Sequence, residues 1–335
     1  MDKMEELKGK YFPVLDHGFC AVVDYMGDDH AIARAARGSY GAGTKKVSDD
    51  RGLIRTLMRD MHTSPFEMCE IVLHVGLPIF VARQWVRHRT ASLNEYSGRY
   101  SVMPMIFYSP EYQRCQTQSI TNKQGSTHLP VGEHQYSNIL AGRKDARGAM
   151  QDLYETCLEA DLTRELARID LPLSMYTYWY WKIDLKNLLH FLRLRLDTHA
   201  QWEIQQYGRV IAGMVKQWLP ATWEAFDDYV MNGVNLSRQE QAVLLTALQT
   251  PDFSLEDPTM RDDLIGECKE LGMSLRETNA FMTKMDLMGG QFIDDIELDL
   301  SQAKSAQHYE EMIQQHAASE TSSPSKTSKR DRCPL

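Results

Sequence analysis

A stripe of leucines in the second half of the chain constrains the fold more strongly than any other sequence feature. Between residues 185 and 196 the leucines recur at the spacing of one helix face, and basic or imidazole side chains form a second stripe beside them. This pattern predicts an amphipathic helix whose apolar face packs against the protein interior. The apolar stripe consists of Leu185, Leu188, Leu189, Leu192 and Leu196, and the polar stripe of Lys186, His190 and Arg193.

Shorter segments on both sides of this helix predict strands as well as helices, and we therefore expect an α+β fold. Two of them combine apolar residues with the β-branched side chains that are typical of strands. Proline suits the first turn of a helix, and Pro78 is predicted to open one. The predicted strands are residues 19–24 and 71–75, the predicted helices 28–37, 52–61, 78–87 and 200–218, and the predicted loops 38–50, 94–100 and 119–137.

The sequence changes character near Gly233, where the mixed body is predicted to end. Two Ser-x-x-Glu pairs, at Ser237 and Ser274, indicate capping boxes that open helices. A third helix is predicted between them and is closed by Gly272. We find no chemistry-bearing cluster in this part. The predicted division is a main domain at residues 1–233, a helical extension of unknown role at 234–317, and a tail at 318–335 whose polar composition predicts disorder.

The charge balance argues against a general nucleic-acid-binding protein. The net charge is -9, whereas proteins that bind nucleic acids usually carry a basic surplus. No stretch reaches the apolar length of a membrane span, and residues 1–10 lack the apolar core of a signal peptide. We therefore expect a cytoplasmic protein without nucleic-acid or membrane partners. The six cysteines are scattered without a CxxC pair, and no HExxH motif occurs, so that reduced thiols and no metal site are expected.

The stretch from residue 83 to residue 100 carries most of the chemical information. It sets arginine and histidine side chains among hydroxyl, amide and carboxylate groups. Arginine forks bind phosphate through paired hydrogen bonds, and the Ser97-Gly98-Arg99 run adds a hydroxyl, a permissive backbone and a guanidinium. The alternative is a solvated basic face that is paired with acids elsewhere, which the hydroxyls, the amides and Gly98 disfavour. Because no GxxxxGK[ST], GxGxxG or GxSxG motif occurs, we expect ligands to be bound by side-chain clusters.

Arg195 stands out because it follows the leucine stripe and has apolar neighbours. Partial burial is therefore expected, and a buried guanidinium needs an anionic or a carbonyl partner. The partner is either a ligand or an internal acid, with Asp197 and Glu203 as the nearby acids, and the sequence leaves both open. His199 lies four residues further on, which on a continuous helix places it on the same face as Arg195.

The run Arg87-His88-Arg89, followed by seven residues and then Ser97, matches an RHR-x7-S signature. On this motif the chain resembles the flavin-dependent thymidylate synthase family. Flanking motifs extend the resemblance, in the same order, over roughly the first two thirds of the chain. They are Ala35-Ala36-Arg37 with Ser39, His62 to Glu67, Gln84-Trp85, Asn94-Glu95, Ala167-Arg168 with Leu171-Pro172, Leu194-Arg195, and His199-Ala200-Gln201-Trp202-Glu203.

The resemblance implies a complete reaction. It implies the conversion of dUMP to dTMP in de novo dTMP biosynthesis, with 5,10-methylenetetrahydrofolate as the carbon donor and NADPH-reduced FAD as the hydride source. It also implies the α+β fold of this family and a homotetramer whose active sites are shared between subunits. Its ligands are small molecules, and the extension beyond Gly233 is not explained by it.

Carried over position by position, the resemblance implies two overlapping ligand sites. The implied catalytic residue is Arg195, which matches an arginine thought to polarise uracil at N3. The implied dUMP-binding residues are Gln84, Arg87, Glu95, Tyr96, Ser97, Gly98, Arg99, Arg168 and Arg195. The implied FAD-binding residues are Ser39, Ser64, Arg87, His88, Arg89, Glu95, Asp184, Lys186 and His190.

Two flavin positions depart from the family pattern. Asp184 stands where some members have asparagine, and His190 stands where an asparagine occurs one turn further on. Backbone contacts at residues 184–186 are compatible with the first change. In the second, an imidazole N–H donates a hydrogen bond as an amide does.

The chemistry requires activation of uracil, because its C5 atom is a poor nucleophile. Nothing resembles the cysteine motif of classical thymidylate synthases, and no cysteine lies in the matched motifs. A guanidinium against the uracil stabilises negative charge at N3 and O2 and raises the electron density at C5, which is the role implied for Arg195. Ser97 has no general base beside it in the sequence, so that a phosphate contact is the simpler interpretation than a nucleophile.

Two functions of another class are kept as alternatives, namely an RNA-binding protein that uses the arginine-rich helix and an inactive scaffold of the same fold. RNA binding predicts basic residues spread over a surface, whereas here they are clustered in an acidic chain. An inactive scaffold is expected to lose Arg195 or the Ser97-Gly98-Arg99 run, and all four residues are present.

Overall fold

The computed structural model describes residues 3–38, 49–120, 125–288 and 296–319 of the 335-residue chain. The strands are β1 (Tyr11–Val14), β2 (Gly18–Met26), β3 (Glu70–Pro78), β4 (Ser92–Glu95), β5 (Gln116–Gln118), β6 (Ser126–Pro130) and β7 (Tyr176–Asp184). The α-helices are α1 (Lys3–Leu7), α2 (Asp29–Gly38), α3 (Asp50–Arg59), α4 (Ile79–Trp85), α5 (Glu133–Glu159), α6 (Arg164–Ala167), α7 (Leu185–Arg195), α8 (Trp202–Trp218), α9 (Pro220–Phe226), α10 (Arg238–Gln249), α11 (Pro258–Glu270), α12 (Leu275–Met288) and α13 (Ala306–Ser319). Short 3-10 turns lie at Ser64–Met68, Tyr112–Arg114 and Leu300–Gln302, and a π turn at Asp227–Met231.

A five-stranded sheet in the order β1-β2-β3-β7-β4 forms the centre, and all neighbouring strands are antiparallel. Strands β3 and β7 pair along their whole length, from Glu70 opposite Asp184 to Pro78 opposite Tyr176. Each of these two central strands continues directly into a helix, β3 into α4 and β7 into α7. The sheet therefore fixes both helices, which carry the predicted site residues Gln84, Lys186, His190 and Arg195.

An aromatic core lies between one face of the sheet and the helices α4, α7 and α8. Trp85 of α4 lies edge-on to Trp179 and Trp181 of β7, with ring centroids 5.6 and 5.2 Å away, and packs on Phe191 of α7 at 4.7 Å. The leucine stripe of α7 is buried in the same core, as predicted. Each such leucine contributes about 1.5–3 kcal/mol relative to an exposed position.

The predicted α+β class and its main elements are confirmed, with bounds that differ by a few residues. The segment 19–24 lies inside β2, and 71–75 lies inside β3. The predicted helices correspond to α2, α3, α4, α7 and α8. Pro78 precedes α4 rather than forming its first residue, because its backbone is extended, with φ -66° and ψ 144°.

Two of the predicted loops are partly wrong. Residues 92–95 form β4, an edge strand whose four side chains are all exposed, so that no alternation of apolar and polar residues marks it in the sequence. Part of the segment 119–137 forms β6, which pairs with β5 in a separate hairpin, and α5 begins at Glu133. Of the predicted loop 38–50, residues 39–48 lie outside the described residues, as does the predicted disordered tail from residue 320 onward.

The helices α10, α11 and α12 have a hydrophobic core of their own, formed by Val243, Leu264, Cys268 and Phe281 among others. Both predicted capping boxes are confirmed. The amide of Glu240 donates to Ser237 Oγ, and that of Glu277 to Ser274 Oγ, each at 3.3 Å. Gly272 ends the connection after α11 with φ +76°, a conformation that favours glycine.

The residues after this helical unit return to the sheet. Leu298 lies against Gly213 of α8, and the backbones of Tyr11 and Lys304 exchange two hydrogen bonds of 2.9 and 2.7 Å. Tyr309 of α13 is 4% exposed and packs on Phe19, with ring centroids 4.6 Å apart. The C-terminal segment therefore covers part of the sheet face opposite to α4 and α7.

Helix α5 is long and poorly covered. It spans 27 residues, and Tyr154 is the buried side chain on it within the described part of the chain. The exposed or half-exposed apolar side chains include Ile139, Met150 and Leu153. A helix of this length with so little burial has a surface that is suited to another protein chain.

Candidate active site

The arginine-rich segment lies where α4 ends. Trp85 is fully buried and anchors the last turn of α4, and the backbone of the next three residues turns away from the helix. The amide of His88 donates to the Trp85 carbonyl at 2.9 Å, which fixes this turn. Arg87, His88 and Arg89 thereby face α7 across a cavity of about 310 Å³.

The cavity brings together residues that lie about a hundred positions apart in the sequence. It is lined by Arg87, His88, Arg89, Thr90, Ile183, Asn187, His190, Leu194 and Arg195. Five of these were predicted as ligand-binding residues. Asn187 and Thr90 were missed, although Asn187 lies three and seven residues before His190 and Leu194, so that helical spacing alone places it on their face.

Arg195 is held by two neutral acceptors. Its Nε donates to His88 Nε2 at 3.0 Å, and its Nη2 donates to the carbonyl of Gln84 at 3.3 Å. Partial burial lowers the pKa of Arg195, but a guanidinium stays protonated in a protein. The charge of Arg195 is therefore not cancelled by a carboxylate among the described residues.

His88 is neutral in this arrangement. Burial, and then the neighbouring Arg195 and His190, lower the pKa of His88 from 6.5 to about 4. Because Nε2 accepts a hydrogen bond from a charged guanidinium, the ring proton has to lie on Nδ1. The His88 and His190 ring centroids lie 6.0 Å apart, so that protonation of His88 would add a charge beside two other cationic or ionisable groups.

The internal ion pairs considered for Arg195 do not form. Asp197 accepts from the backbone amide and from Nδ1 of His199, at 2.8 and 2.9 Å. Glu203 pairs instead with Arg114, at 2.7 Å. The expectation that His199 shares a helix face with Arg195 is wrong, because α7 ends at Arg195 and the chain turns before α8 begins.

A second group of predicted residues forms a loop after β4. Glu95 accepts a hydrogen bond of 2.7 Å from the hydroxyl of Thr177, and the amide of Tyr96 donates to the Tyr178 carbonyl at 2.8 Å. The Ser97 carbonyl accepts from the amides of Tyr100 and Ser101, each at 3.1 Å, and closes the loop. The loop is therefore tied to β7 at its start and folded on itself at its end.

Gly98 lets this loop approach Arg168. A Cβ atom at Gly98 would lie 2.6 Å from Met103 Sδ and 3.1 Å from Cδ of Arg168. Arg99 forms an exposed ion pair of 3.1 Å with Glu165, in the helix that ends just before Arg168. The predicted dUMP residues Gly98, Arg99 and Arg168 are thus neighbours, although about 70 residues separate them in the sequence.

Within the part of the chain that the structure describes, the second group does not line the Arg195 cavity. The 310 Å³ cavity lies before β4 and the Gly98 loop after it, at opposite ends of a strand that spans about 10 Å. Gln84 is linked to the cavity by its backbone carbonyl, which Arg195 contacts. Glu95, Tyr96, Ser97, Gly98, Arg99 and Arg168 do not line that cavity.

The remaining flavin positions surround the start of α7. Asp184 caps the helix by accepting from the amide and side chain of Asn187, at 3.0 and 2.6 Å. Lys186 lies 3.7 Å from Glu67, in the 3-10 turn that begins at Ser64. Because its carboxylate already occupies the helix N-terminus, Asp184 does not offer this end of α7 to a phosphate. Ser39 lies outside the described residues.

The donor set fits part of a flavin dinucleotide. Arg87 and Arg89 provide fork-shaped donors for a diphosphate, and Asn187 and His190 provide smaller polar groups on the opposite wall. A volume of 310 Å³ is near the lower end of the range for ligand pockets, about 300–1,000 Å³. An FAD molecule exceeds this space, so that other residues must contact the rest of it. Within the described ranges, no three acidic, histidine or cysteine side chains are grouped as metal ligands.

Several known proteins are similar to this chain over most of its main domain. The family model of the thymidylate synthase complementing protein matches residues 21–221. The chain is 54% identical over 239 residues to a flavin-dependent thymidylate synthase of Gluconobacter oxydans, covering 70% of this chain and 78% of the relative. It is 52% identical over 240 residues to the one of Ruegeria pomeroyi, covering 70% and 79%. No helix in the described part of the chain has the length and apolarity of a membrane span.

A solved structure is also similar. It is the UMP/dUMP methylase PolB of Streptomyces cacaoi bound with 5-Br dUMP. The TM-score is 0.59 at 30% sequence identity, covering 65% of this chain and 97% of that one. The matched region of the family model ends at residue 221, before Gly233.

Proposed function

The chain belongs to the flavin-dependent thymidylate synthase family, and we propose that the cavity between α4 and α7 is the centre of its active site. The enzyme methylates dUMP to dTMP, with methylenetetrahydrofolate as the carbon donor and FAD reduced by NADPH. The proposal concerns which residues perform this reaction. It takes residues 1–233 as the catalytic domain, residues 234–317 as an extension, and the cytoplasm as the place of action.

The observation that carries the proposal is the state of Arg195. Its guanidinium is partly buried, charged, and bound only to the neutral acceptors His88 Nε2 and the Gln84 carbonyl within the described residues. A buried charge without a counterion favours an anionic partner. Uracil that develops negative charge at N3 and O2 is such a partner, and its stabilisation activates C5.

The dUMP phosphate is assigned to the Gly98 loop. Ser97 and Arg99 supply donors there, and Arg168 lies against the loop because Gly98 has no side chain. The Arg99–Glu165 pair is exposed, and a pair of this kind contributes only about 0–1 kcal/mol, so that a phosphate can replace the carboxylate. Gln84, Arg87, Glu95 and Tyr96 are assigned to the rest of the nucleotide.

The flavin is assigned to Arg87, His88 and Arg89 together with Ser64, Glu95, Lys186, His190 and the backbone at Asp184; Ser39 is kept as a further proposed contact. When bound, FAD supplies the reducing equivalents. The neutral His88 adds no charge to the cavity that it lines, and it holds Arg195 through Nε2. His88 is thus proposed to serve the flavin and the uracil activation at once.

The cysteines support activation by charge rather than by a thiol. Burial raises the pKa of Cys69 to about 12, and it also raises the pKa of Cys20. Neither thiol is a nucleophile at neutral pH. None of the residues lining the 310 Å³ cavity is a cysteine.

A homotetramer with shared active sites is proposed from two features of the single chain. The Arg195 cavity and the Gly98 loop lie at opposite ends of β4, and the cavity is too small for a whole flavin dinucleotide. Helix α5 also leaves most of its surface uncovered. A partner that covers α5 and brings its own loop to the cavity satisfies both features, and light scattering in solution measures the expected mass.

The test of the site compares Arg195→Ala with Arg193→Ala, an exposed arginine two residues earlier on the same helix. Arg195→Ala is expected to bind FAD and to bleach with NADPH, yet to convert saturating dUMP at least about a hundredfold more slowly in single turnover. Arg193→Ala is expected to react normally. Normal conversion by Arg195→Ala would reduce Arg195 to a structural residue.

A further inference from the structure

A chain of hydrogen bonds leads from a buried carboxylate to the proposed dUMP site. Glu203, in the first turn of α8, is 3% exposed. Its Oε2 accepts from Gln201 Nε2 at 2.7 Å, and Gln201 Oε1 accepts from Gln84 Nε2. Glu203 and Gln201 lie outside every set of site residues assigned above, and the chain ends on the side chain of Gln84.

The carboxylate of Glu203 is saturated by donors. Arg114 contributes Nε at 2.7 Å and Nη2 at 3.1 Å, and the Tyr108 hydroxyl contributes a bond of 3.2 Å to Oε1. Burial, and then the charge of Glu203, raise the pKa of Tyr108, which therefore remains a donor. A carboxylate paired with a guanidinium only accepts, so that its three partners, Arg114, Tyr108 and Gln201, must supply the four N–H or O–H groups that it binds.

This sets the direction of every bond in the chain. Because Gln201 must turn its amide nitrogen towards Glu203, its amide oxygen faces Gln84. Gln84 must then present its own nitrogen to Gln201. The free end of the Gln84 amide is consequently the oxygen, which accepts hydrogen bonds.

We propose that Glu203 is a positioning residue, which orients the Gln84 amide through Gln201 so that its oxygen faces dUMP. An oxygen at this place binds a donor of the nucleoside, either uracil N3–H or the ribose 3′-hydroxyl, and it repels the phosphate. The proposal rests on the assignment of Gln84 to dUMP in the proposed function. It adds a reason why the side chain has to be an amide of fixed orientation.

The first experiment uses Glu203→Gln. A glutamine at 203 that keeps its oxygen on Arg114 Nε and the Tyr108 hydroxyl gives up the bond from Arg114 Nη2 and turns its nitrogen to Gln201, and the direction of the whole chain reverses. Gln84 then presents N–H groups to the nucleotide. We expect dUMP to bind about tenfold more weakly, by titration of the flavin spectrum, while NADPH still reduces the flavin at the wild-type rate.

The double variant Glu203→Gln with Gln201→Glu separates orientation from packing. Here the carboxylate stands at 201 and accepts from both amides, so that Gln84 returns to its original direction. We expect dUMP binding to recover. The matched control is Glu240→Gln, which removes another buried acid, 5% exposed and paired with Lys284 at 2.7 Å in the helical extension. We expect it to leave dUMP binding unchanged.

Nucleotide analogues identify the donor. Wild-type enzyme is expected to lose affinity for either 2′,3′-dideoxy-UMP or N3-methyl-dUMP, and Glu203→Gln to lose that discrimination. Unchanged dUMP binding in Glu203→Gln, or failure of the double variant to recover, would overturn the proposal. It would also be overturned if the affinity difference between wild type and Glu203→Gln disappeared only for a ligand that lacks the phosphate. Gln84→Ala distinguishes a failure of the proposed function, which assigns Gln84 to dUMP, from a failure of the orienting role of Glu203. If it binds dUMP normally, the assignment of Gln84 itself fails; if it binds weakly while Glu203→Gln is normal, only the orienting role fails.

Discussion

The bond between His88 and Arg195 predicts a specific dependence of stability on pH. The pKa of His88 is lowered from 6.5 to about 4 in the folded protein. Between these values the unfolded chain binds the proton and the folded protein does not, so that lowering the pH from 6.5 to 4 destabilises the fold. Above pH 6.5 both states are neutral, and His88 makes no contribution that varies with pH.

The variant that isolates this effect is His88→Gln. Its side-chain oxygen accepts from Arg195 Nε as His88 Nε2 does, but it does not titrate. For pKa values of 6.5 and about 4, linkage gives an upper limit of about 2 kcal/mol at pH 5. Since the ring is only partly buried, solvent screening reduces this to about 1 kcal/mol.

The assay is urea unfolding followed by tryptophan fluorescence, at one protein concentration and matched flavin occupancy. From pH 7.5 to pH 5 the wild type is expected to lose about 1 kcal/mol more than His88→Gln. Between pH 7.5 and 8.5 the difference between the two proteins is expected to stay constant. Parallel curves down to pH 4.5 would show that burial and the neighbouring Arg195 do not keep His88 neutral, and Nε2 of His88 could then not be the acceptor for Arg195.

Three further predictions concern other parts of the molecule. Gly98→Ala places a Cβ 2.6 Å from Met103 Sδ and close to Arg168, so that steady-state kinetics should show a raised KM for dUMP, and thermal unfolding a loss of about 1–3 kcal/mol; an unchanged KM would separate Gly98 from the nucleotide. Each single Cys→Ala variant that folds should still form dTMP. Activation by charge would be contradicted if one folded variant were inactive and the same cysteine formed a covalent adduct with dUMP in the wild-type enzyme. Tyr309→Ala should lower the free energy of unfolding in urea by about 2–4 kcal/mol because it uncovers Phe19. Replacing residues 234–288 by a short linker should leave the single-turnover conversion of dUMP intact. Unchanged stability in Tyr309→Ala together with lost conversion in the linker variant would show that the helical extension, and not the C-terminal segment, supports catalysis.

The parts of the fold that the sequence predicts are those in which local pattern and burial agree. The leucines of α7 are at helical spacing and are buried, and β2 and β3 are apolar strands in the centre of the sheet. Strand β4 was missed because an exposed edge strand needs no apolar alternation, and its pairing with β7 is a long-range contact. The return of Tyr309 to the sheet was missed for the same reason, since α13 carries no signal of where it packs.

The candidate site divides along a similar line. The signature identifies Arg87, His88 and Arg89, and the structure places them opposite Arg195. The sequence could not show which partner Arg195 has, because its acceptors are about a hundred residues away. The network from Glu203 to Gln84 was invisible for the same reason: Gln201 and Glu203, at the start of α8, are joined to Gln84 only after α4 and α8 pack together.

Of the two kinds of partner considered for Arg195, a ligand and an internal acid, the internal acid is bound elsewhere. Glu203 was a plausible counterion by sequence, but Arg114 neutralises it at 2.7 Å, in a place with 4% exposure of the carboxylate side chain. Had Glu203 paired with Arg195, the charge required for uracil activation would be cancelled before substrate binds. Because Arg114 takes the acid, Arg195 keeps its charge while bonded to a neutral imidazole and a carbonyl. Arg114→Ala is therefore expected to lower the stability measured by urea unfolding, since the buried carboxylate of Glu203 then keeps Tyr108 and Gln201 as donors but loses its cationic partner.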